Sequence, residues 1–157
     1  MTPEEFIAAI GPAAQASAYI TGVPASFTVA QAALESFWGR SLLAQNAMNL
    51  FGVKADASWL GEVWEHNTRE YLRGQWVMVP ARWRKYKDWK GCMDDHAGFL
   101  LSNQRYNRCF MYADGVSFAQ AVADAGYATD PDYADKLISI IEGHGLQSLD
   151  IQETPNG

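Results

Sequence analysis

The chain has 157 residues and a formal net charge of −6, and its length fits one domain with a substantial core. Hydrophobic residues make up 48% and charged residues 19% of the sequence, which is typical of a folded rather than a disordered chain. The negative charge argues against nucleic-acid binding, because phosphate contacts need a basic surface, and no apolar run is long enough to cross a bilayer.

The first twenty residues carry helical signals. Thr2, Pro3 and Glu5 have the spacing of a capping box with proline at the first helical position. Residues 11–12, Gly-Pro, are predicted to break or kink this helix. A second helix is then expected over residues 13–20.

The next helix is predicted to start after a turn at residues 21–24, with Ser26 or Thr28 as its cap. We expect Gly39 to end this helix, because glycine favours the left-handed conformation that closes helices. A short helix over residues 41–45 follows.

The middle of the chain carries the best strand signal. Residues 62–72 are rich in β-branched and aromatic side chains, and residues 76–79 run back after a turn-like Arg-Gly-Gln at 73–75. These features predict a β-hairpin lobe over about residues 59–80.

Helices are predicted to resume near residues 94–101. Ser117 and Gln120 have capping-box spacing for a helix over residues 118–125, and Asp130-Pro131 opens the last helix. The predicted fold is α+β and mostly helical.

Glycines at 143 and 145 are expected to end the last helix. We predict a single domain over residues 1–146, followed by a polar tail at 147–157 that frays from Gln147.

Glu35 is the strongest candidate for chemistry. It lies at the end of an otherwise apolar helix and is followed at once by two aromatic residues and a glycine. Desolvation and the negative end of the helix dipole both disfavour a charged carboxylate, so we expect a raised pKa. A carboxyl that is protonated near neutral pH can serve as a general acid. Taken alone, Glu35 is better interpreted as a solvated residue at a helix end, and only the surrounding apolar residues together with the ordered motifs below favour catalysis.

Cys92 and Cys109 allow two interpretations: they are plain buried thiols, or they form a disulfide if the chain meets an oxidising compartment. No spacing of cysteine and histidine resembles a metal site, and no cofactor is predicted.

Six motifs occur in an order that resembles one enzyme family. Residues 30–39 read Ala-Gln-Ala-Ala-Leu-Glu-Ser-Phe-Trp-Gly and residues 49–54 read Asn-Leu-Phe-Gly-Val-Lys. Shorter motifs follow at residues 68–71, 83–86, 95–100 and 126–137. Together these motifs, over about residues 4–142, resemble glycoside hydrolase family 73, the bacterial endo-β-N-acetylglucosaminidases with a lysozyme-like fold.

The resemblance implies that the substrate is peptidoglycan, cleaved at the β-1,4 bond on the reducing side of N-acetylglucosamine. The matching positions imply Glu35 as general acid, Glu70 as second carboxylate and Tyr127 as an active-site hydroxyl. The second carboxylate acts as a base on water, or the acetamido group of the substrate assists instead. Four other carboxylates compete with Glu70 for this role: Glu62, Glu65, Asp94 and Asp95.

Several further residues are candidates for substrate binding. The resemblance carries over Asn49, which could alternatively hold a buried turn, and the family's preceding Asn is replaced here by Met48. Trp64, Tyr71 and Trp76 are expected to line a glycan groove, with hairpin packing as the alternative for part of this set.

Three functions remain open at this stage: a murein glucosaminidase, a lytic transglycosylase on the same type of fold, and an inactive wall-binding domain. The N-terminus lacks the basic and apolar regions of a secretory signal. We therefore expect synthesis in the cytoplasm and action in a periplasm, as a type VI secretion toxin that is a monomer when free. An immunity protein would then occlude the cleft. A phage or prophage endolysin is the alternative setting.

Overall fold

The computed structural model describes residues 1–151, and helices dominate it. The α-helices are α1 (Pro3–Thr21), α2 (Ala25–Ser36), α3 (Leu42–Asn46), α4 (Trp89–Ser102), α5 (Gly115–Asp124) and α6 (Tyr133–Gly143). The strands are β1 (Val63–Glu65), β2 (Thr68–Leu72), β3 (Gln75–Val79) and β4 (Arg82–Arg84). Two 3-10 helices cover Gln104–Met111 and Leu146–Asp150. The predicted class, α+β and mostly helical, is confirmed.

Helix α1 begins with the predicted capping box but is not interrupted at Pro12. Thr2 and Glu5 cap each other reciprocally, and a single helix then runs on to Thr21. The predicted break is wrong because proline removes only one intrahelical hydrogen bond, whereas the burial of Ile10 and Ala14 holds both halves against the core.

Helix α2 is the central element of the fold. Ten of its twelve residues are buried, and it contacts α1, α5, α6 and the last 3-10 helix. Its many alanines and serines allow neighbouring helices to approach closely. Such a helix places its last turn, which includes Glu35, at a position that is set by packing on several sides.

The start of α2 is capped from far along the chain. Neither Ser26 nor Thr28 caps it, contrary to expectation, because both are buried inside the helix. The carboxylate of Asp150 instead accepts from the backbone N–H of Ser26 at 2.9 Å and from its hydroxyl at 2.6 Å. The fraying predicted from Gln147 is therefore wrong up to Asp150, and residues 152–157 of the predicted tail lie outside the described residues.

Helix α2 ends at Ser36 instead of Gly39. Phe37, Trp38 and Gly39 all have positive φ angles, of 52°, 59° and 79°. The hydroxyl of Ser36 accepts from the N–H of Gly39 at 2.9 Å and donates to the carbonyl of Ala32 at 2.6 Å. This left-handed turn leaves Glu35 on the last turn of the helix.

The strands form two antiparallel pairs, β2 with β3 and β1 with β4. The predicted hairpin is confirmed, with Tyr71 opposite Trp76 next to the turn. The second pair, with Trp64 opposite Trp83, extends past the predicted boundary at residue 80. Strand β4 has only three residues, which is too short for an alternating pattern to be visible in the sequence.

The caps of the later helices differ from those predicted. Helix α4 begins after Asp88, whose side chain accepts from the N–H of Gly91, and not near Asp94. Helix α5 is capped by Asp114, which accepts from the N–H of Ser117 at 2.8 Å. Aspartate at both positions precedes the residues expected to start the helices, so each helix is longer at its N-terminus.

Helix α6 begins at Tyr133, two residues later than the Asp130-Pro131 start implies. Asp130 accepts from the N–H of Asp132 at 2.9 Å and thus closes the turn before the helix. Cys92 and Cys109 are both free and buried, so the disulfide alternative is not found in this structure. No helix within residues 1–151 is long and apolar enough to cross a membrane.

Candidate active site

Glu35 lies on the last turn of α2 and remains accessible to solvent. Enough protein surrounds its carboxyl group that desolvation raises its pKa above the ordinary value, and a hydrogen bond from Tyr133 partly opposes that rise. The desolvation expected from the sequence is therefore present. An accessible carboxyl with a raised pKa can give a proton to a bound molecule.

A row of hydrogen bonds behind Glu35 leads into the core. The hydroxyl of Tyr133 donates to Oε1 of Glu35 at 3.0 Å, and Nε2 of Gln31 donates to that hydroxyl at 2.8 Å. Oε1 of Gln31 lies 2.6 Å from Nε2 of His96. Gln31, Tyr133 and His96 are all buried, so the acid is held from behind by satisfied polar groups.

The structure brings Tyr127 close to this acid. Its ring stacks on that of Tyr133, with 5.7 Å between centroids and 15° between planes. Burial and, next in size, the charge of Glu35 raise the pKa of the Tyr127 phenol. This hydroxyl therefore stays protonated near neutral pH and lies within electrostatic reach of the carboxyl.

Glu70 lies on β2 and pairs with a lysine from the loop after α3. Nζ of Lys54 is 3.2 Å from Oε1 of Glu70, and the side chains are 58% and 38% exposed. Glu70 is opposite Val77 of β3, and both are half-buried. This face of the hairpin is therefore the partly covered one.

Tyr71 and Trp76 lie on the other face of the hairpin. They are neighbours across the strands, with ring centroids 5.3 Å apart, and are 60% and 62% exposed. Consecutive residues of a strand point to opposite faces, so neither can line a groove on the same face as Glu70. Tyr71 and Trp76 therefore lie on the face of the hairpin opposite Glu70, and their role in lining a glycan groove stays a prediction.

Trp64 is accounted for by packing within the second strand pair. Its ring stacks on His66 with 4.6 Å between centroids, and it lies opposite Trp83. It is half-buried, and its role as a groove residue stays a prediction.

Asn49 is a structural residue. It is only 1% exposed, and its side-chain amide donates to the carbonyls of Val53 and Arg84, both at 2.9 Å. Its Oδ1 accepts from the N–H of Val53 at 3.1 Å. Because these contacts occupy the amide and burial shields it, the predicted role in substrate binding is not supported, and the turn-holding alternative is.

Asp95, a rival for the second carboxylate, is engaged inside the fold. Its Oδ2 accepts from Nη1 of Arg84 at 2.9 Å and from the hydroxyl of Tyr86 at 2.6 Å. Asp94 forms an exposed ion pair with Lys90 instead. Asp95 therefore orients Arg84 at the wall of a neighbouring cavity.

That cavity has a volume of about 230 Å³ and is lined by residues of the loop after α3, of β4 and of α4, together with Tyr127. Its polar lining residues are Lys54, Asp56, Arg84, Asp95, His96 and Tyr127. Among the described residues there is no group of three or more His, Cys, Asp or Glu that could hold a metal ion. The arrangement offers a proton donor beside phenolic hydroxyls, and a neighbouring cavity that is lined by charged hydrogen-bonding groups.

The model of one protein family matches residues 11–146, a span that includes Glu35, Glu70 and Tyr127. The family is described as glucosaminidase, mannosyl-glycoprotein endo-β-N-acetylglucosaminidase. The chain belongs to this glucosaminidase family of glycoside hydrolases.

The glucosaminidase is 43% identical over 141 residues to the peptidoglycan hydrolase FlgJ of Escherichia coli K12, covering 87% of this chain and 45% of FlgJ. It is 40% identical over 130 residues to the exo-glucosaminidase LytG of Bacillus subtilis, covering 80% and 45% of the two chains. The chain thus spans less than half the length of these curated relatives.

Solved structures show the same fold. The glycoside hydrolase domain of Salmonella typhimurium FlgJ superimposes with a TM-score of 0.80 at 39% identity, covering 92% of this chain and 99% of that chain. The lysozyme-like glucosaminidase fold expected from the motifs is therefore confirmed.

Sequence reasoning missed three residues of the glucosaminidase site: Gln31, His96 and Tyr133. Tyr133 is the first residue of α6, and nothing in its local sequence indicates a contact with Glu35. Gln31 precedes Glu35 by four residues on α2, a spacing that places both on one helix face and that could have indicated a contact. Nothing in the local sequence around His96 indicates its contact with Gln31.

Phe37 and Met48 of the glucosaminidase adopt backbone conformations that bulky residues rarely accept. Phe37 has a φ of 52° and is 72% exposed, two residues after the acid. Met48 also has a φ of 52° and replaces the asparagine that the family resemblance leads one to expect. Asparagine tolerates the left-handed region well, which explains its use at this turn.

Proposed function

We propose that this glucosaminidase domain hydrolyses peptidoglycan at the β-1,4 bond on the reducing side of N-acetylglucosamine. The accessible Glu35 carboxyl, with its raised pKa and its hydrogen bond from Tyr133, is the observation that carries the proposal. Relatives named peptidoglycan hydrolase at about 40% identity support the choice of substrate.

In this proposal Glu35 protonates the glycosidic oxygen as the bond breaks. The raised pKa keeps a larger fraction of Glu35 protonated near neutral pH, as a general acid requires. Tyr127 contributes a neutral hydroxyl beside the acid, where it can donate to the sugar.

Glu70 is the proposed second carboxylate. Its ion pair with Lys54 places an anion on the half-buried face of the hairpin, an environment unlike that of Glu35. Two carboxyls in different surroundings are suited to different roles in glycoside hydrolysis. Glu70 would act as a base on water, unless the acetamido group of the substrate attacks instead.

The experiment is digestion of purified peptidoglycan, followed by mass spectrometry of the new chain ends. We expect reducing N-acetylglucosamine ends from the native chain and none from Glu35→Gln, with an unchanged melting temperature. Glu142→Gln, at an exposed glutamate of α6, is the matched control and should retain activity. Anhydro-sugar ends would indicate a lytic transglycosylase, and binding without new ends would indicate a wall-binding domain; either result refutes the proposal.

We also propose that the domain works as a type VI secretion toxin in the periplasm of a target cell, where an immunity protein blocks it. In this proposal the immunity protein would cover Glu35, which is accessible to solvent, and would thereby stop catalysis. Export of the chain to the periplasm of a test strain should cause lysis, and cytoplasmic expression should not. Lysis from the cytoplasm that depends only on a holin would favour the endolysin alternative and contradict the toxin proposal.

A further inference from the structure

The hydrogen bonds that lead from His96 through Gln31 and Tyr133 to Glu35 all run in one direction, with each donor nearer His96 and each acceptor nearer Glu35. The hydroxyl of Tyr133 has one hydrogen, and it is directed to Oε1 of Glu35. The same hydroxyl accepts from the amide nitrogen of Gln31, which leaves the amide oxygen of Gln31 to accept from His96. Each donor therefore points toward the acid.

His96 can serve as the first donor because it is neutral and enclosed. Burial lowers its pKa from 6.5 to about 4, so the ring carries one proton near neutral pH. Phe51 stacks on the ring at 4.0 Å between centroids, which fixes its orientation. A neutral ring with its hydrogen on Nε2 donates to Oε1 of Gln31, whereas the other tautomer would reverse the polarity of the row.

The polarity matters for where the acid carries its proton. Within the described residues, the only hydrogen bond of the Glu35 carboxyl involves Oε1, and Oε2 has no protein partner. Oε1 already accepts the hydrogen of the Tyr133 hydroxyl. It is therefore a poor site for the acid proton, which must point toward a bound sugar. The opposite polarity would direct the acid proton at Tyr133 and away from a bound sugar.

Taking Glu35 as the proposed general acid, we propose that Tyr133, held by Gln31 and His96, is a positioning residue. It keeps Oε1 of Glu35 as a hydrogen-bond acceptor, so that the transferable proton resides on Oε2. Tyr133 itself need not touch the substrate, since it acts through the carboxyl.

The other titratable groups nearby do not supply this function. Tyr127 faces the acid from the turn before α6, is neutral, and forms no hydrogen bond with Glu35 in the described residues. The charged groups of the adjoining cavity wall all form ion pairs, Lys54 with Glu70 of β2 and Arg84 with Asp56 and Asp95. None of the ion pairs within residues 1–151 includes Glu35 itself.

The test is the pKa of the Glu35 carboxyl, measured by carbon-13 NMR in the native chain and in Tyr133→Phe. A donor to a carboxylate lowers its pKa, so its removal should raise the pKa of Glu35 by roughly one pH unit. The alkaline limb of the kcat–pH profile should move upward by the same amount, because the acid must be protonated. We expect kcat to fall roughly ten- to a hundredfold, with KM nearly unchanged.

Two further variants separate positioning from general damage. Gln31→Met removes the support of Tyr133 at similar volume and should shift the pKa of Glu35 in the same direction by less. Tyr106→Phe deletes a hydroxyl of a tyrosine that is 3% exposed and contacts the Tyr127 ring, and it should leave the pKa of Glu35 unchanged.

An unchanged Glu35 pKa in a folded Tyr133→Phe protein would overturn the proposal. If Tyr133→Phe does not fold, Gln31→Met decides the question. A shift in the pKa of Glu35 in that variant supports the positioning role of Tyr133, and an unchanged pKa overturns it. The NMR measurement needs no turnover, so it remains informative if Glu35→Gln still cuts peptidoglycan. That outcome would defeat the proposed function and leave the hydrogen-bonding proposal to its own test.

Discussion

Nζ of Lys54 lies 3.2 Å from Oε1 of Glu70, and this contact ties strand β2 to the loop after α3. Both side chains are more than one third exposed, so solvent screens most of the attraction. The ion pair therefore contributes little to stability, and its consequence is the orientation of Glu70.

The first prediction concerns this pair. Glu70→Gln should lower kcat on peptidoglycan roughly 10²- to 10⁴-fold, the range for loss of a catalytic base. Lys54→Met should lower kcat less and change the free energy of unfolding by under about 1 kcal/mol. Steady-state kinetics and urea unfolding measure the two effects.

Lys90→Met is the matched control for Lys54→Met, because it breaks another exposed pair, with Asp94, on α4. It should leave kcat unchanged. If Glu70→Gln retains full activity, the second carboxylate must be sought elsewhere or the substrate itself supplies the group.

A second prediction follows from the alternation of the hairpin. Trp76 is on the face opposite Glu70, so Trp76→Ala should leave KM for a soluble glycan fragment unchanged. It should cost roughly 0.2–1 kcal/mol of stability through lost cross-strand contact with Tyr71. A large rise in KM in this variant would show that the exposed face does bind glycan.

The third prediction concerns the pH dependence of stability through His96. Its pKa is about 4 in the folded chain and ordinarily 6.5, so the unfolded chain binds more protons between these values. Stability should therefore fall as the pH drops from 6.5 to 4, by roughly 3 kcal/mol for this group. Urea unfolding at a series of pH values measures the slope.

His96→Gln retains a donor at a similar position but cannot titrate, so it should flatten this dependence. Glu35 changes the stability in the opposite sense, because its raised pKa makes the folded state bind more protons as the pH falls. Both the native chain and His96→Gln contain Glu35, so the difference between their slopes cancels its contribution. His144→Gln, at an exposed histidine, is the matched control. An equal slope in the native chain and in His96→Gln would contradict the prediction.

The fourth prediction uses the left-handed turn after Glu35. Phe37 is 72% exposed at a φ of 52°, so Phe37→Gly should relieve strain at little loss of buried area and stabilise the fold by roughly 0.5–1 kcal/mol. Gly39→Ala should destabilise it, because the added carbon would lie 2.9 Å from the ring of Phe6 at a φ of 79°.

Gly98→Ala provides the control for Gly39→Ala. Gly98 is inside α4 with open space at the position of a side chain, so alanine there should raise stability by roughly 1 kcal/mol. Thermal melting of the three variants measures these effects. If Phe37→Gly lowers stability, the phenyl ring makes contacts in solution that outweigh its backbone strain.

Features that depend on a few neighbouring residues were predicted well. The capping box at Thr2 and Glu5 forms because all of its groups lie within one turn of helix. The hairpin at residues 68–79 forms where β-branched and aromatic residues flank a turn. Pro12 was predicted to break a helix and does not, because burial of the flanking residues outweighs a local preference.

The sequence by itself determined the fold class and the family, and the apolar stretch around Glu35 already indicates a desolvated carboxyl. Only the tertiary structure decided what holds that acid, because Gln31, His96 and Tyr133 come from three helices that are far apart along the chain. Packing also decided that Asn49 is occupied inside a turn and that Tyr71 and Trp76 face away from Glu70. Hydrogen bonds between distant residues form only where packing brings their atoms within about 3 Å, and local sequence carries no record of that approach.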